Sequence, residues 1–325
     1  MQTKIVYTLV SDYGDYYCEQ AMMSLHSLRK HHPTATVELV VDNRTDDTLC
    51  GKRAEIIKYV SKKTCIELPE EYDKMRRSRH IKTNLRKYVT GDFLFIDCDT
   101  VVCAPLDAID NFEGEMGLAA DLNHPLPLED KNTIEKCENA GFKNLAGAPY
   151  YNSGVMLVKD TPATHKFYEA WNRNWLLSVQ NGVPYDQPAL CQTNKEAGFP
   201  IKELPGAWNC QIKFDGARFI KSAKIMHYYF GGSEKYSLGI NSLLEHVKKE
   251  GKIDEIITKI IDHPQTTLYT YLTMPEEKLQ GYRGSELIYV YANVPPLFRL
   301  LEIIARPLAK IAIIIGKIKA KIIQK

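Results

Sequence analysis

The sequence FLFIDCD, residues 93–99, joins an apolar run of strand type to two carboxylates that are one residue apart. Side chains two residues apart on an extended chain point the same way, so Asp97 and Asp99 share a face if the strand continues through Asp99. Two like charges held this close are costly unless a cation lies between them. Oxygen ligands suit hard divalent ions, so the pair predicts a divalent metal site at the end of a buried strand.

The chain before this run alternates between strand and helix patterns. A strand-like run at 4–10 precedes a helical pattern in which Ala21, Leu25 and Leu28 recur, and a β-branched run follows at 36–41. This βαβ opening predicts a parallel sheet. Further predicted elements are a helix near 46–58, a strand at 65–68 and a basic helix at about 74–89.

The chain after the run continues the alternation with one long interruption. A strand is predicted at 117–121, a Pro-, Asn- and Gly-rich loop at 122–150, and a strand from Tyr151 whose first residues are small and polar. Helices near 162–179 and 185–197 and a strand ending at His227 follow. The pattern predicts a doubly wound α/β fold with a mostly parallel sheet, which binds ligands at the carboxyl ends of its strands.

Composition indicates a globular protein. With 325 residues, 44% hydrophobic and 25% charged, the chain can bury one large α/β core or two smaller ones. Residues 296–325 contain seven Lys or Arg and one Glu, which leaves 35 Lys or Arg and 39 Asp or Glu before them. We therefore expect an anionic surface as a partner of the tail only, and no nucleic acid.

Cysteine usage and hydropathy bear on the compartment. Eight cysteines are spread along the chain without a Cys-x-x-Cys pair, which favours reduced thiols in a cytoplasm. The first strand-like run begins at Lys4 without a preceding apolar segment, so no signal peptide is predicted. The longest uncharged window near the C-terminus, 287–298, is shorter than the ~20 residues of a membrane span. We expect a cytoplasmic protein that does not cross a bilayer.

Three further features have structural as well as functional explanations. Asp186, two residues before Pro188, resembles a helix N-cap. His227 could be a core histidine rather than a ligand, and Arg79 and Lys82, about one turn apart, could form a solvated helix face. Their order and spacing together are more informative than any one of them.

In that order, the chain resembles the GT-A glycosyltransferases, and most closely the retaining family 8, which includes bacterial lipooligosaccharide galactosyl- and glucosyltransferases and the glycogenins. The resemblance covers about two thirds of the chain. Its motifs are the opening strand with Asp12 and Tyr17, the helix with Arg79 and Lys82, and the segments 95–99, 151–155, 185–187 and 227–235. The last motif is one residue longer than is usual in the family, and Tyr236-Ser237 follow Lys235 where the family has Pro-Trp.

The resemblance implies a GT-A fold and a nucleotide-sugar donor, with uridine as the base. It implies that Asp97, Asp99 and His227 bind Mn²⁺ or Mg²⁺, and a histidine ligand favours Mn²⁺. The ion would act as a Lewis acid on the departing diphosphate. The residues that the resemblance places on the UDP-sugar are Val10, Asp12, Tyr17, Arg79, Lys82, Asp97, Cys98, Asp99, Gly231 and Lys235.

At the donor sugar, the resemblance places Asn152, Asp121, Asp186 and Gln187 as catalytic residues. A neutral amide such as Gln187 is a poor nucleophile. We therefore expect the acceptor hydroxyl to attack on the face from which the diphosphate leaves, with retention, rather than through a covalent glycosyl-enzyme. A nucleotidyltransferase on a related fold and a non-catalytic membrane-bound sugar-nucleotide binder are the alternatives.

The C-terminal part differs in composition from the catalytic domain predicted at 1–239. Residues 240–294 look helical and aromatic, and 295–325 have basic residues on one side of a helical wheel and mostly Ile on the other. This pattern predicts basic amphipathic helices that lie in a membrane interface. A C-terminal helix packed on the body is the alternative. The expected acceptor is a glycan or lipid-linked saccharide at the cytoplasmic membrane face.

Overall fold

A seven-stranded sheet covered by helices forms the centre of the computed structural model, which describes residues 1–212, 215–229 and 239–273 and eight positions between 296 and 308. The strands are β1 (Lys4–Leu9), β2 (Val37–Asp42), β3 (Lys62–Ile66), β4 (Phe93–Ile96), β5 (Thr100–Val102), β6 (Met116–Ala120), β7 (Tyr151–Val158), β8 (Ile201–Glu203), β9 (Cys210–Gln211) and β10 (Ile225–His227). The α-helices are α1 (Tyr17–His31), α2 (Asn43–Asp46), α3 (Lys74–Thr83), α4 (Leu85–Tyr88), α5 (Lys131–Asn139), α6 (Pro162–Gln180), α7 (Gln187–Glu196), α8 (Gly239–Glu250), α9 (Glu255–Ile261) and α10 (Tyr269–Thr273).

The large sheet has the strand order β3-β2-β1-β4-β7-β6-β8. The strands β3, β2, β1 and β4 run parallel, whereas β7 is antiparallel to both β4 and β6. Strand β8 runs parallel to β6, so β7 is the one reversed strand of this sheet. This α/β architecture with a mostly parallel sheet confirms the predicted fold class. Its apolar strands are buried, as β4 illustrates, with Phe93 and Phe95 both 0% exposed.

A second, three-stranded sheet has the order β5-β10-β9. Strand β10 is antiparallel to β5, and this register sets His227 opposite Thr100. Because Thr100 follows Asp99 directly, the pairing brings the histidine next to the carboxylate pair at the end of β4. The small sheet thus links two segments that are far apart in the sequence.

Several predicted element boundaries were wrong. The segment 122–150 contains α5, and the basic helix predicted at 74–89 is interrupted at Asn84. At Asn84 the backbone leaves helical geometry (φ −113°, ψ 10°), and its side-chain amide donates to the carbonyl of His80 and to Asn172. Asparagine competes for backbone hydrogen bonds in this way, which is why it disrupts a helix.

The backbone divides into two compact units: Met1–Glu234 with Leu243–Asp262, and Lys235–Ser242 with His263–Lys325. Within the described part of the chain, no helix is both long and apolar enough for a bilayer crossing. The predicted helical segment 240–294 is described only as far as residue 273, where it contains α8, α9 and α10. Of the basic helices predicted at 295–325, eight positions between 296 and 308 are described and the rest lie outside the described residues.

Candidate active site

The carboxylates of Asp97 and Asp99 come together through a bend, not through a continuous strand. Strand β4 ends at Ile96, and the chain bends at 98–99 before β5 begins. The backbone N–H of Asp97 still donates to the carbonyl of Gly154 (2.8 Å), which extends the contact with β7 by one residue. The condition for a shared strand face, a strand that continues through Asp99, is therefore not met, although the two side chains do converge.

The side chains of Asp97, Asp99 and His227 form a cluster in which one ligand atom from each lies within 4.8 Å of the other two. The His227 Nε2 atom lies 3.2 Å from Asp99 Oδ1. Two carboxylates and one imidazole are a suitable donor set for Mn²⁺ and, with weaker preference, Mg²⁺. Among the described residues, no other group of three or more His, Cys, Asp or Glu side chains is close enough to hold a metal ion.

The imidazole of His227 packs directly on the backbone of β7 at Gly154. A Cβ atom at this position would overlap the imidazole and would lie 2.8 Å from Asn152 Oδ1. This strand begins with small polar residues, which allow another group to approach its backbone closely, and the approaching group is the histidine ring. Glycine at 154 is therefore a requirement of the candidate metal site.

Lys82 lies beneath the cluster instead of on a solvated helix face. Its side chain is 2% exposed, and its Nζ is 2.8 and 2.9 Å from the two carboxylate oxygens of Asp97. Burial raises the pKa of Asp97. The charge of Lys82 opposes this increase, and the charge of Asp99 reinforces it. Burial also disfavours the charged form of Asp99, but the neighbouring His227 outweighs it and lowers the pKa of Asp99. The two carboxylates therefore differ in electrostatic environment.

Asp186 lies at the start of α7 but does not act as a cap through its side chain. Its Oδ1 pairs with Arg79 Nε (2.9 Å), and its Oδ2 accepts a hydrogen bond from Ser153 Oγ (2.6 Å). No side-chain cap bond to α7 is formed within the described residues. Burial opposes ionisation of Asp186, but Arg79 and then Lys82 outweigh it and lower its pKa. Asp186 is thus an anion held at the wall of the site.

Asp121 connects two amide side chains on the same wall. Gln187 Nε2 donates to Asp121 Oδ1 (2.7 Å), and Asn152 Nδ2 donates to the same oxygen (3.0 Å). Burial raises the pKa of Asp121, which the bonds from Asn152 and Gln187 partly offset. The amide nitrogen of Gln187 is used in the bond to Asp121. Its carbonyl oxygen therefore remains available to a ligand in the cleft that Gln187 lines.

These side chains line a cleft with a volume of about 480 Å³. Its first wall comes from β1 and α1, its floor from the end of β4, and its second wall from the start of β7 and α7. The lining residues are Thr8, Leu9, Val10, Tyr17, Gln20, Lys74, Met75, Ser78, Arg79, Lys82, Asp97, Cys98, Asp99, Asn152, Ser153, Gly154, Asp186, Gln187, His227 and Tyr229. Because β7 runs antiparallel to β4, its first residues lie beside the last residues of β4, and both walls meet at the carboxylate pair.

Most of the predicted donor-binding residues lie in this cleft, but Asp12 does not line it. The Asp12 side chain is 49% exposed and pairs with Lys74 (2.5 Å), which does line the cleft. Cys98 donates its thiol hydrogen to the carbonyl of Thr8 (3.2 Å) and so connects the floor to the first wall. Gly231 and Lys235 lie outside the described residues.

Several residues at the site were not predicted from the sequence, among them Gln20, Asn209, Gln211 and Tyr229. Gln20 is 0% exposed and lines the cleft, and its amide has no hydrogen-bond partner within the described part of the chain. Tyr229 stacks on His227 with ring centres 4.2 Å apart. The sequence carries no signal for Asn209 or Gln211, but Tyr229 falls within the segment 227–235 that carries the family resemblance.

Tyr229 also connects the histidine to the second wall. Its hydroxyl accepts a hydrogen bond from Asn152 Nδ2 and donates to Gln211 Oε1 (2.6 Å). The same oxygen of Gln211 accepts from the backbone N–H of Leu122 (2.7 Å). Tyr229 and Leu122 both have positive φ angles, 51° and 55°, which side-chain-bearing residues adopt at a cost. The hydrogen bonds to Gln211 therefore help to hold two strained backbone positions in the site.

Comparison with known proteins identifies the fold. No family model matches the sequence, and no curated protein matches it either. The galactosyltransferase LgtC, solved with donor and acceptor sugar analogues, is 14% identical with a TM-score of 0.50 over 79% of this chain and 99% of that chain. The bifunctional glycosyltransferase WbbM is also 14% identical with a TM-score of 0.50, over 79% of this chain and 51% of that chain. Mouse xyloside xylosyltransferase 1 is 13% identical with a TM-score of 0.47, over 72% of this chain and 100% of that chain. The similarity to LgtC and WbbM shows that the chain has the GT-A fold.

Proposed function

We propose that this chain is a metal-dependent glycosyltransferase that moves a hexose from a UDP-sugar to a saccharide or lipid-linked acceptor, with retention of configuration. One observation carries the proposal. The cluster of Asp97, Asp99 and His227 lies at the floor of a cleft of about 480 Å³ whose second wall contains Asp186 and Gln187. Such a cleft combines a site for a cation with polar groups that can hold a sugar.

The charge balance of the cleft supports a requirement for a divalent ion. Among the described residues, Arg79 and Lys82 face three carboxylates, Asp97, Asp99 and Asp186. The third lining cation, Lys74, is paired with Asp12 and Asp15, so one negative charge is in excess around the floor of the cleft. A nucleoside diphosphate, which is itself an anion, would be repelled by this excess. A divalent ion bound to the cluster would reverse the sign and supply Lewis-acid stabilisation of the leaving diphosphate, an effect of several kcal/mol.

We assign the first wall of the cleft to the nucleoside. Val10, Tyr17 and Gln20 line it, and Asp12 pairs with the lining residue Lys74 at its edge. The buried amide of Gln20 offers donors and an acceptor without a partner in the described part of the chain, and a buried polar group of this kind is costly unless something binds it. The imide edge of uracil also carries both a donor and acceptors, which makes it a suitable partner.

We assign the second wall to the sugar. Asn152 and Asp186 would hold the hydroxyl groups, and the carbonyl oxygen of Gln187 would lie near the reacting carbon, where its dipole stabilises positive charge. A neutral amide is a poor nucleophile, so the acceptor hydroxyl would attack from the side on which the diphosphate leaves and pass its proton to a phosphate oxygen. A covalent glycosyl adduct on Asp186 or Asp121, detected by mass spectrometry, would contradict this.

We assign a second cavity to the acceptor. It has a volume of about 250 Å³ and is lined by Asp121, Leu122, residues 124–130, Thr133 and Tyr150. Asp121 is bonded to Asn152 and Gln187, which line the main cleft, so it lies between the two cavities. The mixed lining of prolines, leucines and carboxylates suits a saccharide, which has apolar faces and polar edges.

We further propose that the segment 295–325 holds the protein at the cytoplasmic face of a membrane. The proposal rests on the basic and apolar faces of its sequence. In the part of this segment that the structure describes, several large apolar side chains are exposed: Leu297, Leu300, Ile303, Ile304 and Leu308. A peripheral location would place the cleft near lipid-linked acceptors.

The test is a screen of UDP-sugars for release of UDP, with and without Mn²⁺. We expect Mn²⁺-dependent release from one UDP-hexose, and Asp99→Asn should remove most of it because one charged ligand is lost. The exposed carboxylate Asp47 provides the control, since Asp47→Asn makes the same charge change away from the cleft. Turnover of Asp99→Asn near that of the unchanged protein would refute the assignment. Binding of UDP and Mn²⁺ without any hydrolysis would instead indicate a sugar-nucleotide binder.

A further inference from the structure

Asn209 lies behind the candidate metal cluster and does not line the cleft. It is 0% exposed and ends the short 3₁₀ turn Gly206–Asn209 that leads into β9. Its side chain faces His227 on one side and Asn152 on the other. A buried amide between a candidate metal ligand and a candidate sugar-binding residue can either fill space or orient both neighbours. The direction of its hydrogen bonds distinguishes the two roles.

The backbone fixes the direction of these hydrogen bonds. The N–H of Gly154 can only donate, and it lies 2.9 Å from Asn152 Oδ1, so this atom of Asn152 must be the oxygen. The atom of Asn209 that lies 2.8 Å from the same oxygen must then be a donor, which makes it Nδ2. The remaining polar atom of the Asn209 side chain is therefore its carbonyl oxygen.

The same logic determines the proton position on His227. The carbonyl oxygen of Asn209 lies 2.9 Å from His227 Nδ1, and an oxygen acceptor requires that Nδ1 carries the hydrogen. The other ring nitrogen, Nε2, faces Asp99 at 3.2 Å: the protonated ring donates a hydrogen there, and the neutral Nδ1–H form presents a lone pair where a bound cation would take the place of that hydrogen. Lone pairs from Nε2 and from the carboxylate then point toward one location, which a cation would occupy.

We propose that Asn209 is a positioning residue that holds His227 in the Nδ1–H tautomer, ready to bind a divalent cation through Nε2. It also links the imidazole to Asn152, and through Asn152 to Asp121 and Gln187, so the cation side and the sugar side share one chain of hydrogen bonds. This inference rests on the proposed metal site. Partners that orient a metal-binding histidine commonly change metal affinity 10- to 100-fold when they are replaced.

Two variants separate the contributions of the amide. Asn209→Leu has a similar shape and removes both hydrogen bonds. Asn209→Asp retains an acceptor for His227 Nδ1 but loses the donor to Asn152. Asn194, another buried asparagine at 1% exposure, accepts a hydrogen bond from the N–H of Ile201 outside the cluster and serves as the matched control when replaced by leucine.

The first measurement is the ¹⁵N NMR spectrum of the full chain without metal, with labelled histidine and His227 assigned by its loss in His227→Gln. We expect Nδ1 to carry a hydrogen in the unchanged protein and in Asn209→Asp, whether or not Nε2 is also protonated toward Asp99. We expect Asn209→Leu to show some or all of the neutral form whose one hydrogen is on Nε2. An Nε2–H tautomer in the unchanged protein would overturn the proposal. This measurement needs neither metal nor substrate, so it is independent of whether the protein transfers a sugar.

The second measurement is the affinity for Mn²⁺ alone, determined by electron paramagnetic resonance. We expect Asn209→Leu to bind Mn²⁺ about 10- to 100-fold more weakly, and Asn209→Asp and Asn194→Leu to stay within a few-fold of the unchanged protein. Unchanged affinity in Asn209→Leu, with an unchanged tautomer, would show a space-filling role. If the unchanged protein binds no Mn²⁺ but has the Nδ1–H tautomer, the proposed function fails while the orientation by Asn209 stands.

Discussion

Gly154 shows how a single hydrogen atom can determine whether a site forms. Its backbone accepts from the N–H of Asp97 through its carbonyl and donates to Asn152 through its N–H, while the imidazole of His227 lies where a side chain would begin. Its φ angle is not among the positive values in the described chain, so glycine is needed here for space and not for backbone conformation.

Replacing Gly154 by alanine should therefore weaken metal binding without unfolding the protein. The added methyl group overlaps the His227 ring, which must rotate away from Asp99. We expect at least a 10-fold loss of Mn²⁺ affinity, measured by electron paramagnetic resonance. Met156→Leu in the same strand, a swap of similar volume, is the control. Unchanged affinity in Gly154→Ala would show that His227 is not a ligand.

The ion pair between Arg79 and Asp186 should make stability depend on pH in a defined direction. The folded protein has a lowered pKa at Asp186, so the pair stabilises it fully above the unfolded value of about 4 and loses this contribution as the pH falls through the folded value. Because Arg79 is 30% exposed, we expect Asp186→Asn to cost about 1–3 kcal/mol at pH 7.

Urea unfolding between pH 3 and 8 measures this effect. The difference in stability between the unchanged protein and Asp186→Asn should be constant above about pH 5 and should shrink below pH 4. Asp47→Asn should show a small difference with no such trend, because Asp47 is exposed. A difference that grows toward low pH would show that Asp186 is not ionised in the folded state.

At the level of residues, the sequence predicts which chemical groups the site contains better than it predicts which side chains contact one another. The spacing in FLFIDCD predicted a carboxylate pair, and the structure brings His227 to it. Patterns alone could not distinguish a solvated face from the buried position of Lys82 and the half-buried, cleft-lining position of Arg79, because basic residues on a helix look the same in either case. Asn209 and Gln211 could not be found at all, since their role depends on neighbours that are distant in the sequence.

At the level of elements, α6 supports the second wall of the cleft. Its Trp171 donates the indole hydrogen to the carbonyl of Asp186 (3.1 Å), and its start carries a capping box of Thr161 and Thr164 with Pro162 between them. This is a strong start signal for a helix, and the predicted helix near 162–179 matches the observed one closely.

Removal of the cap should lower stability by a predictable amount. Thr161→Ala deletes the hydroxyl that accepts from the N–H of Thr164, and we expect a loss of about 1–2 kcal/mol in the free energy of unfolding. Thr161→Ser retains the oxygen and should stay within about 0.5 kcal/mol of the unchanged protein. Equal losses in both variants, measured by urea unfolding, would show that the methyl group rather than the cap is responsible.

The predicted loop at 122–150 was the least accurate element. It contains α5, whose start at Asp130 carries an N-cap bond to the N–H of Thr133. Only Cys137 of this helix is buried, so its sequence lacks the apolar periodicity by which a helix is recognised. Local signals thus find elements with a strong buried face and miss those that lie at the surface.

At the level of the whole molecule, the sequence predicted the class of fold but not the order of its strands. The βαβ opening indicated a parallel sheet, and β1, β2 and β4 confirm it. The apolar run of β7 could not reveal that this strand is reversed, since a fully buried strand reads the same in both directions. That reversal is nevertheless what sets Gly154 beside Asp97.

Membrane attachment is a property of the full chain and yields a prediction from its sequence. Burial of an isoleucine contributes about 1.5–3 kcal/mol, more than the ~1 kcal/mol from each basic residue near anionic lipid. The triple replacement of Ile311, Ile315 and Ile318 by Asp should therefore abolish binding to anionic vesicles in a flotation assay. Replacing Lys310, Lys317 and Lys321 by Gln should only weaken it.

Salt provides the complementary measurement for the unchanged protein. Apolar insertion predicts that concentrated NaCl leaves the protein on the vesicles, whereas detergent releases it. Clean elution by NaCl would show that charge, and not insertion, carries the attachment. No binding at all in low salt would favour the alternative in which the C-terminal segment packs on the body.

The reversal of β7 has a consequence for how this architecture can diversify. The chain leaves the cleft floor after Asp99 and returns to it at Gly154. A backbone hydrogen bond from Asp97 to Gly154 connects the two ends of this intervening segment. Exchanges within residues 124–130, which line the second cavity, would change the shape of that cavity, while Leu122 keeps its hydrogen bond to Gln211 and the bond between Asp97 and Gly154 stays in place. If this cavity holds the acceptor, as proposed, acceptor preference could therefore change through one segment of the chain. The cluster of Asp97, Asp99 and His227 would not have to change with it.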